Sequence, residues 1–209
     1  MDYITLISWI LVFLVIVGLI LAFFRTFERS KPRVEHLVLI AILVAISIIG
    51  TLPTAAIPGL QIASFIIIMT GIVFGKETGF ITGVLTPLVY GLFIGLGYWT
   101  VLEMVAWGLM GLTAGMLSVK LEENKYLRVG FGFAWGFFYG WITNITMLPF
   151  LSSVNLTSVL GIYIASAPFD LIHAITNAVL LLLFFGLFER IFKRARDKYI
   201  TPRENTSLN

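Results

Sequence analysis

The stretch that decides the fold runs from Ala55 to Gly115: AAIPGLQIASFIIIMTGIVFGKETGFITGVLTPLVYGLFIGLGYWTVLEMVAWGLMGLTAG. Its apolar runs are broken only by the charged pair Lys76-Glu77 and by the turn-forming Gly95-Leu-Gly97-Tyr98-Trp99. Within it glycines recur at four-residue intervals: Gly71, Gly75, Gly79 and Gly83, then Gly91 and Gly95, then Gly111 and Gly115. Small residues at this spacing lie on one helix face and let apolar helices approach closely in lipid. The stretch therefore reads as the core of an all-α polytopic membrane protein.

Composition agrees. The chain is 59% hydrophobic and 12% charged, with a mean hydropathy of +1.00, which excludes an ordinary soluble domain. There is no cysteine, hence no disulfide framework and no cysteine metal site. A net charge of +3 would suit nucleic acid if the basic residues formed one patch, but their positions indicate a membrane instead. Arg25, Arg29, Lys31 and Arg33 follow the first apolar run, Lys76 sits in a short break, and Lys120, Lys125 and Arg128 lie mid-chain. The end carries Arg190, Lys193, Arg194, Arg196, Lys198 and Arg203. Counting spans between them puts every group on one side, which the positive-inside rule makes cytoplasmic.

The expected spans are residues 4–24, 36–52, 61–75, 78–96, 99–118, 128–150 and 168–189, with the N-terminus outside and the C-terminus inside. The first lacks a basic leader and a small-x-small cleavage site, and so reads as a retained helix. The chain divides accordingly: 1–35 an extra transmembrane helix with a basic linker, 36–190 a six-helix membrane domain, 191–209 a basic cytoplasmic tail. Lys76-Glu77 is expected to form the inner turn, Pro87 to kink its helix, and 151–167 to be an outer segment, partly helical or lying on the surface. The loop from Pro53 to Gln61 holds two prolines and a glycine and should be stiff.

Candidate chemistry lies toward the outer side. Trp99, Glu103, Trp107 and Met110 share one helix face, and a carboxylate inside a span faces a cavity, a partner or the interface. No Lys or Arg is available on that side to pair with Glu103. Asp170, His173 and Asn177 share another face. Asp170, two residues after Pro168, is also explained by a helix start there. His173 either meets a ligand or bonds Asp170, and Asn144 is either an interhelical bond or a contact residue. Ala41-Ile-Leu-Val-Ala45 forms a small-residue ridge, for internal packing or for a partner helix. Signatures of hydrolases, zinc proteases and phosphate-binding loops are absent, and His36 and His173 fall on opposite sides, so neither an enzyme nor a metal site is expected. A proton-coupled secondary transporter using Glu103 or Asp170 is the rival reading, weakened by the lack of an evident inverted repeat.

Ala41-x-x-x-Ala45, IPGLQIASFIIIMTGIVFGKETGFITGVL, GLFIGLGYWTVLEMVAWGLMGLTAG and APFDLIHAITN, in that order, resemble the substrate-binding S component of energy-coupling factor (ECF) vitamin transporters. The resemblance covers about 36–190. It implies a six-helix bundle that captures a vitamin near the outer surface and docks on a transmembrane coupling subunit driven by two ATPases. ATP is then hydrolysed by the partners, and no cofactor is expected in this chain. On this resemblance Ala41 and Ala45 are the docking ridge and the Pro53–Gln61 loop is a lid. Gln61, Trp99, Glu103, Trp107, Asn144, Asp170, His173 and Asn177 are the candidate lining. Gly97-Tyr98-Trp99-Thr100-Val101-Leu102-Glu103-Met104 stands where cobalamin-type members carry G-P-W-T-P-W-Q-M. Cobalamin is thus the first expectation, although both prolines and the second tryptophan are missing.

Overall fold

The computed structural model describes residues 3–29 and 31–200, and these are helical nearly throughout. The helices are α1 (Tyr3–Arg29), α2 (Val34–Thr51), α3 (Ile62–Phe74), α4 (Lys76–Ile94), α5 (Thr100–Met116), α6 (Ser118–Glu123), α7 (Lys125–Asn144) and α8 (Leu156–Tyr199). Short 3-10 turns come after α2 and α7, at Leu52–Thr54 and Ile145–Phe150. Four helices are long and apolar enough to cross a bilayer, in α1, α2, α4 and α8, while α3 and α5 are shorter apolar helices.

Helix α3 is the axis of the bundle. Every residue from Ala63 to Val73 is buried, as an all-round apolar helix requires. The glycine intervals do the packing between α3, α4 and α5. A methyl group added at Gly83 would strike the Trp107 carbonyl, at Gly111 that of Gly79, and at Gly71 that of Gly111; at Gly115 it would meet the backbone of Lys76. The three helices thus touch backbone to backbone. Helices α7 and α8 repeat the device, with Gly136 against the backbone of Ala174 and Gly140 against the Asp170 carboxylate.

Two of the regularly spaced glycines have another task. Gly75 (φ 94°) and Gly95 (φ 106°) adopt left-handed backbone, ending α3 and α4 respectively. The turn between α3 and α4 is therefore Gly75 alone, and Lys76-Glu77, expected to form it, already belongs to the first turn of α4. Pro87 lies buried within an unbroken α4.

A larger correction concerns α8. The sequence reading starts this helix near Pro168, after a separate outer segment. Instead Asn155 caps a helix beginning at Leu156, its side chain accepting from Ser158 N while the Ser158 hydroxyl accepts from Asn155 N. Pro168 sits inside the helix. Asp170 is consequently far from any helix start, and that explanation of it falls away. Helix α8 has 44 residues, roughly 66 Å at 1.5 Å per residue, about twice the hydrocarbon thickness.

One end of the bundle is basic and tied together by side chains. Arg33 Nη2 donates to the carbonyls of Tyr199 (3.0 Å) and Ile200. Arg196 Nη1 donates to Val73 O at 3.4 Å, and Lys193 bridges Glu122 and Glu189 at 3.3 and 2.7 Å. The Arg128 guanidinium stacks on Phe185. Helix α1 is peripheral, its apolar side chains largely exposed in the manner of a lipid-facing helix. Phe23 against Phe80 (centroids 3.9 Å apart) and Phe27 edge-on to His36 attach it to the rest.

Candidate ligand-binding site

Opposite the basic end lie the 52–61 loop, the 95–99 turn and the segment 145–155. Just inside them a polar and aromatic cluster joins four helices. Ser64 enters from the first turn of α3, Glu103 and Trp107 from successive turns of α5, Tyr139 from α7, and Asp170, His173 and Asn177 from α8. At its centre, Trp107 Nε1 donates to Ser64 Oγ at 2.9 Å, and Ser64 Oγ lies 2.7 Å from His173 Nε2. A serine hydroxyl has one proton and two lone pairs, so Ser64 accepts from the indole with one lone pair and keeps both a donor and an acceptor for Nε2. The Tyr139 ring packs against Trp107 (centroids 5.2 Å) and edge-on to His173 (4.9 Å). Its hydroxyl donates to Glu103 Oε1 at 3.2 Å.

This is a dry arrangement. Ser64, Trp107, His173 and Asn177 are at most 2% exposed, and Glu103 is half-buried. Among the described residues, no Lys or Arg reaches this end, so the carboxylates of Glu103 and Asp170 have only neutral partners. For Glu103 that partner is Tyr139; for Asp170 it is Ser166, whose Oγ donates to Oδ2 at 3.0 Å. Asn144 Nδ2 donates to the same Ser166 at 2.7 Å, joining the end of α7 to α8. Asn177 donates to Gly132 O at 3.1 Å, and its Oδ1, like Oε1 of Gln61, is buried with no partner among the described residues.

The candidate residues are thus distributed unevenly. Glu103, Trp107 and His173 share the central cluster, Asn144 and Asp170 form a second group beside it, and Asn177 lies one helical turn deeper than His173. Of the two readings open for His173, its described hydrogen bond goes to Ser64 and not to Asp170. Trp99 stands apart: it is 38% exposed, laid over Gly97 and edge-on to Tyr98, in an aromatic rim at this end completed by Phe150. The 53–61 loop rests on α8, where Gly59 is pressed against the Phe169 carbonyl and Ile172. Thr51 Oγ1 accepts from Ala63 N at 2.8 Å, holding the loop's two ends together.

Ser64, Tyr139 and Ser166 were not singled out from sequence. Ser64 had a signal, being the polar residue in the first turn of an otherwise apolar helix. Tyr139 is hidden in the aromatic run GFFYGW, where nothing separates it from its neighbours. Among the described residues no group of three or more His, Cys, Asp or Glu side chains is placed to hold a metal.

On the surface of α2, Ala41 and Ala45 are exposed, flanked by exposed Ile42 and Ile46. A helical membrane bundle with a dry aromatic and polar cluster at one end and a smooth small-residue face on its side has the form of a solute-binding membrane subunit. A family model described as the ECF-type riboflavin transporter, S component, matches residues 31–190, about three quarters of the chain, and the chain belongs to that family. No curated protein and no solved structure matches it. It is accordingly a multi-pass cell-membrane protein, the vitamin-binding component of an ECF transporter, working with the subunits of an ECF module. The family is one of transporter subunits and not of enzymes. Residues 1–30 lie outside the matched segment.

Proposed function

We propose that this S component captures riboflavin, or a closely related uncharged flavin, in the cluster of Ser64, Glu103, Trp107, Tyr139 and His173. It then delivers the vitamin inward through a transmembrane coupling subunit and two ATPases. The observation that carries the reading is the cluster itself, where four helices of the family-matching segment bring aromatic rings and acceptors together out of water. A flat ring system that inserts beside Trp107 and Tyr139 gains aromatic contact. Its imide N–H and side-chain hydroxyls suit Glu103, Gln61 and the buried Oδ1 of Asn177. In this reading Asn144 and Asp170 line the same space, Trp99 stands at its mouth, and the Pro53–Gln61 loop is the lid. Ala41 and Ala45 meet the coupling subunit.

The orientation belongs to the same proposal: seven spans, basic end cytoplasmic by the positive-inside rule, cluster toward the outside. Cobalamin is the competing ligand, suggested by the 97–104 segment. The family description favours a flavin, and so does the close mutual packing of the cluster, which a flat ring parts less than a corrin with axial ligands would.

The test is mass spectrometry of the gently purified protein, then titration with riboflavin, flavin mononucleotide and cobalamin. Near one riboflavin per chain is expected. The mononucleotide should bind on the order of a hundredfold more weakly, since a phosphate left without a cation costs about 3 kcal/mol. Retention of cobalamin would replace the flavin, and proton-driven uptake by the chain alone would overturn the subunit reading.

A further inference from the structure

A cleft lies away from the proposed vitamin site, between the peripheral helix and the family body. It is an open cleft of about 1,100 Å³ whose walls include Gly18, Arg25 and Glu28 of α1, Ala41 of α2 and Ile81 of α4, with Lys31 from the α1–α2 connection. From Gly18 to Glu28 it runs along α1 for roughly 15 Å at 1.5 Å per residue, which is about the depth of one bilayer leaflet. Its interior is apolar, and its charges gather where α1 ends. Among the described residues, Arg25, Glu28 and Lys31 make no ion pair and their side chains no hydrogen bond, whereas Arg33, two residues further on, is fully engaged with the end of α8.

We propose that this cleft binds one singly anionic glycerophospholipid of the inner leaflet. Its acyl chain lies between α1 and α2, its phosphate lies at Arg25 and Lys31, and headgroup hydroxyls donate to Glu28. The three side chains sum to one positive charge, which matches one phosphate diester. Unpaired basic residues just cytoplasmic of a membrane helix are the arrangement that draws anionic headgroups. Because Ala41 forms part of the wall, the lipid also borders the ridge assigned to the coupling subunit. This inference rests on the proposed reading of the basic end as cytoplasmic.

The full-length protein is reconstituted in phosphatidylcholine containing a minor share of phosphatidylglycerol, and retained lipid is measured by native mass spectrometry. Near one phosphatidylglycerol per chain is expected, in preference to phosphatidylcholine. R25Q/K31Q should weaken its retention about thirtyfold, each basic group near an anionic surface contributing about fivefold. K120Q/K125Q, with the same charge change elsewhere on the basic side, should leave it unchanged. Gly18→Leu intrudes on the apolar part of the cleft without altering charge, and a Cβ there meets nothing within 4 Å; it should weaken retention of the lipid. Retention of both lipids alike, or retention insensitive to R25Q/K31Q and to Gly18→Leu, overturns the proposal. So does a Gly18→Leu variant that keeps its lipid but no longer binds the coupling subunit, which would make the cleft a partner site. Size-exclusion chromatography and thermal unfolding report the folding of each variant, and failure of the unaltered protein to bind riboflavin would refute the vitamin assignment without touching the lipid result. Reaction of Lys120 with an impermeant amine reagent on intact cells would refute the leaflet.

Discussion

Replacing Ser64 with alanine is the most incisive perturbation of the cluster. The hydroxyl is the common partner of Trp107 Nε1 and His173 Nε2, at 2.9 and 2.7 Å. All three residues are no more than 2% exposed, so water does not replace it. Each buried polar group left without a partner costs about 1–3 kcal/mol, which for the indole and imidazole together gives about 2–6 kcal/mol. For a chain of this size that corresponds to a fall of about 4–24 °C in apparent Tm. The assay is thermal unfolding of the purified protein in mild detergent, with and without saturating riboflavin, beside a titration by flavin fluorescence. Affinity should fall at least tenfold, because the same hydroxyl fixes the rings that the ligand meets. A change in Tm below about 1 °C would refute the argument that the hydroxyl is irreplaceable. A large loss of stability with unchanged affinity would make the serine a fold element and remove it from the site.

Glu103→Gln keeps the shape but weakens the acceptor facing Tyr139. Riboflavin affinity should fall about tenfold in equilibrium titration, and an unchanged constant would return Glu103 to an interfacial role. Ala45→Trp places a bulky ring on an exposed face of α2. It should abolish vitamin uptake in cells while leaving binding by the isolated protein intact, and loss of binding would mean the ridge is internal packing. Gly111→Val drives a side chain into the Gly79 carbonyl and should sharply reduce the yield of folded protein on size-exclusion chromatography; near-normal yield would show that the helices separate cheaply. Removal of residues 1–30 should leave riboflavin binding unchanged, whereas an aggregated product would make α1 integral to the fold.

Much of this architecture is visible in the residues alone. Four-residue glycine intervals announce close helix contact, and Gly71, Gly79, Gly83, Gly111 and Gly115 deliver it. Spacing does not reveal which glycines are contacts and which are stops. Gly75 and Gly95 continue the same interval but serve as left-handed helix ends, because at those two points the chain must reverse direction. Proline misled at 168, because membrane helices tolerate an interior proline and the true start signal, the Asn155 cap, lies upstream. At the site, charge in an apolar run marked Glu103 and Asp170. Ser64 and Tyr139 matter through pairings across 109 and 36 residues of sequence, and no local pattern encodes such a pairing.

The backbone-to-backbone glycine contacts have a mechanical consequence. Helices α3, α4 and α5 are held backbone to backbone as one stiff slab, and α7 with α8 as another, where Gly136 meets the Ala174 backbone and Gly132 and Gly140 meet the Leu181 and Asp170 side chains. At the proposed vitamin site the two slabs are joined by the Ser64–His173 hydrogen bond and the Trp107–Tyr139 ring contact, Ser64 and Trp107 standing on the first slab and His173 and Tyr139 on the second. At the cluster end of this seam, admitting a ligand exchanges those contacts for the ligand's own, while deeper in the bundle Phe65 against Phe188 and Phe74 against Phe192 keep the slabs together. In the proposed reading, the seam that yields and the groups that meet the vitamin are the same line of residues.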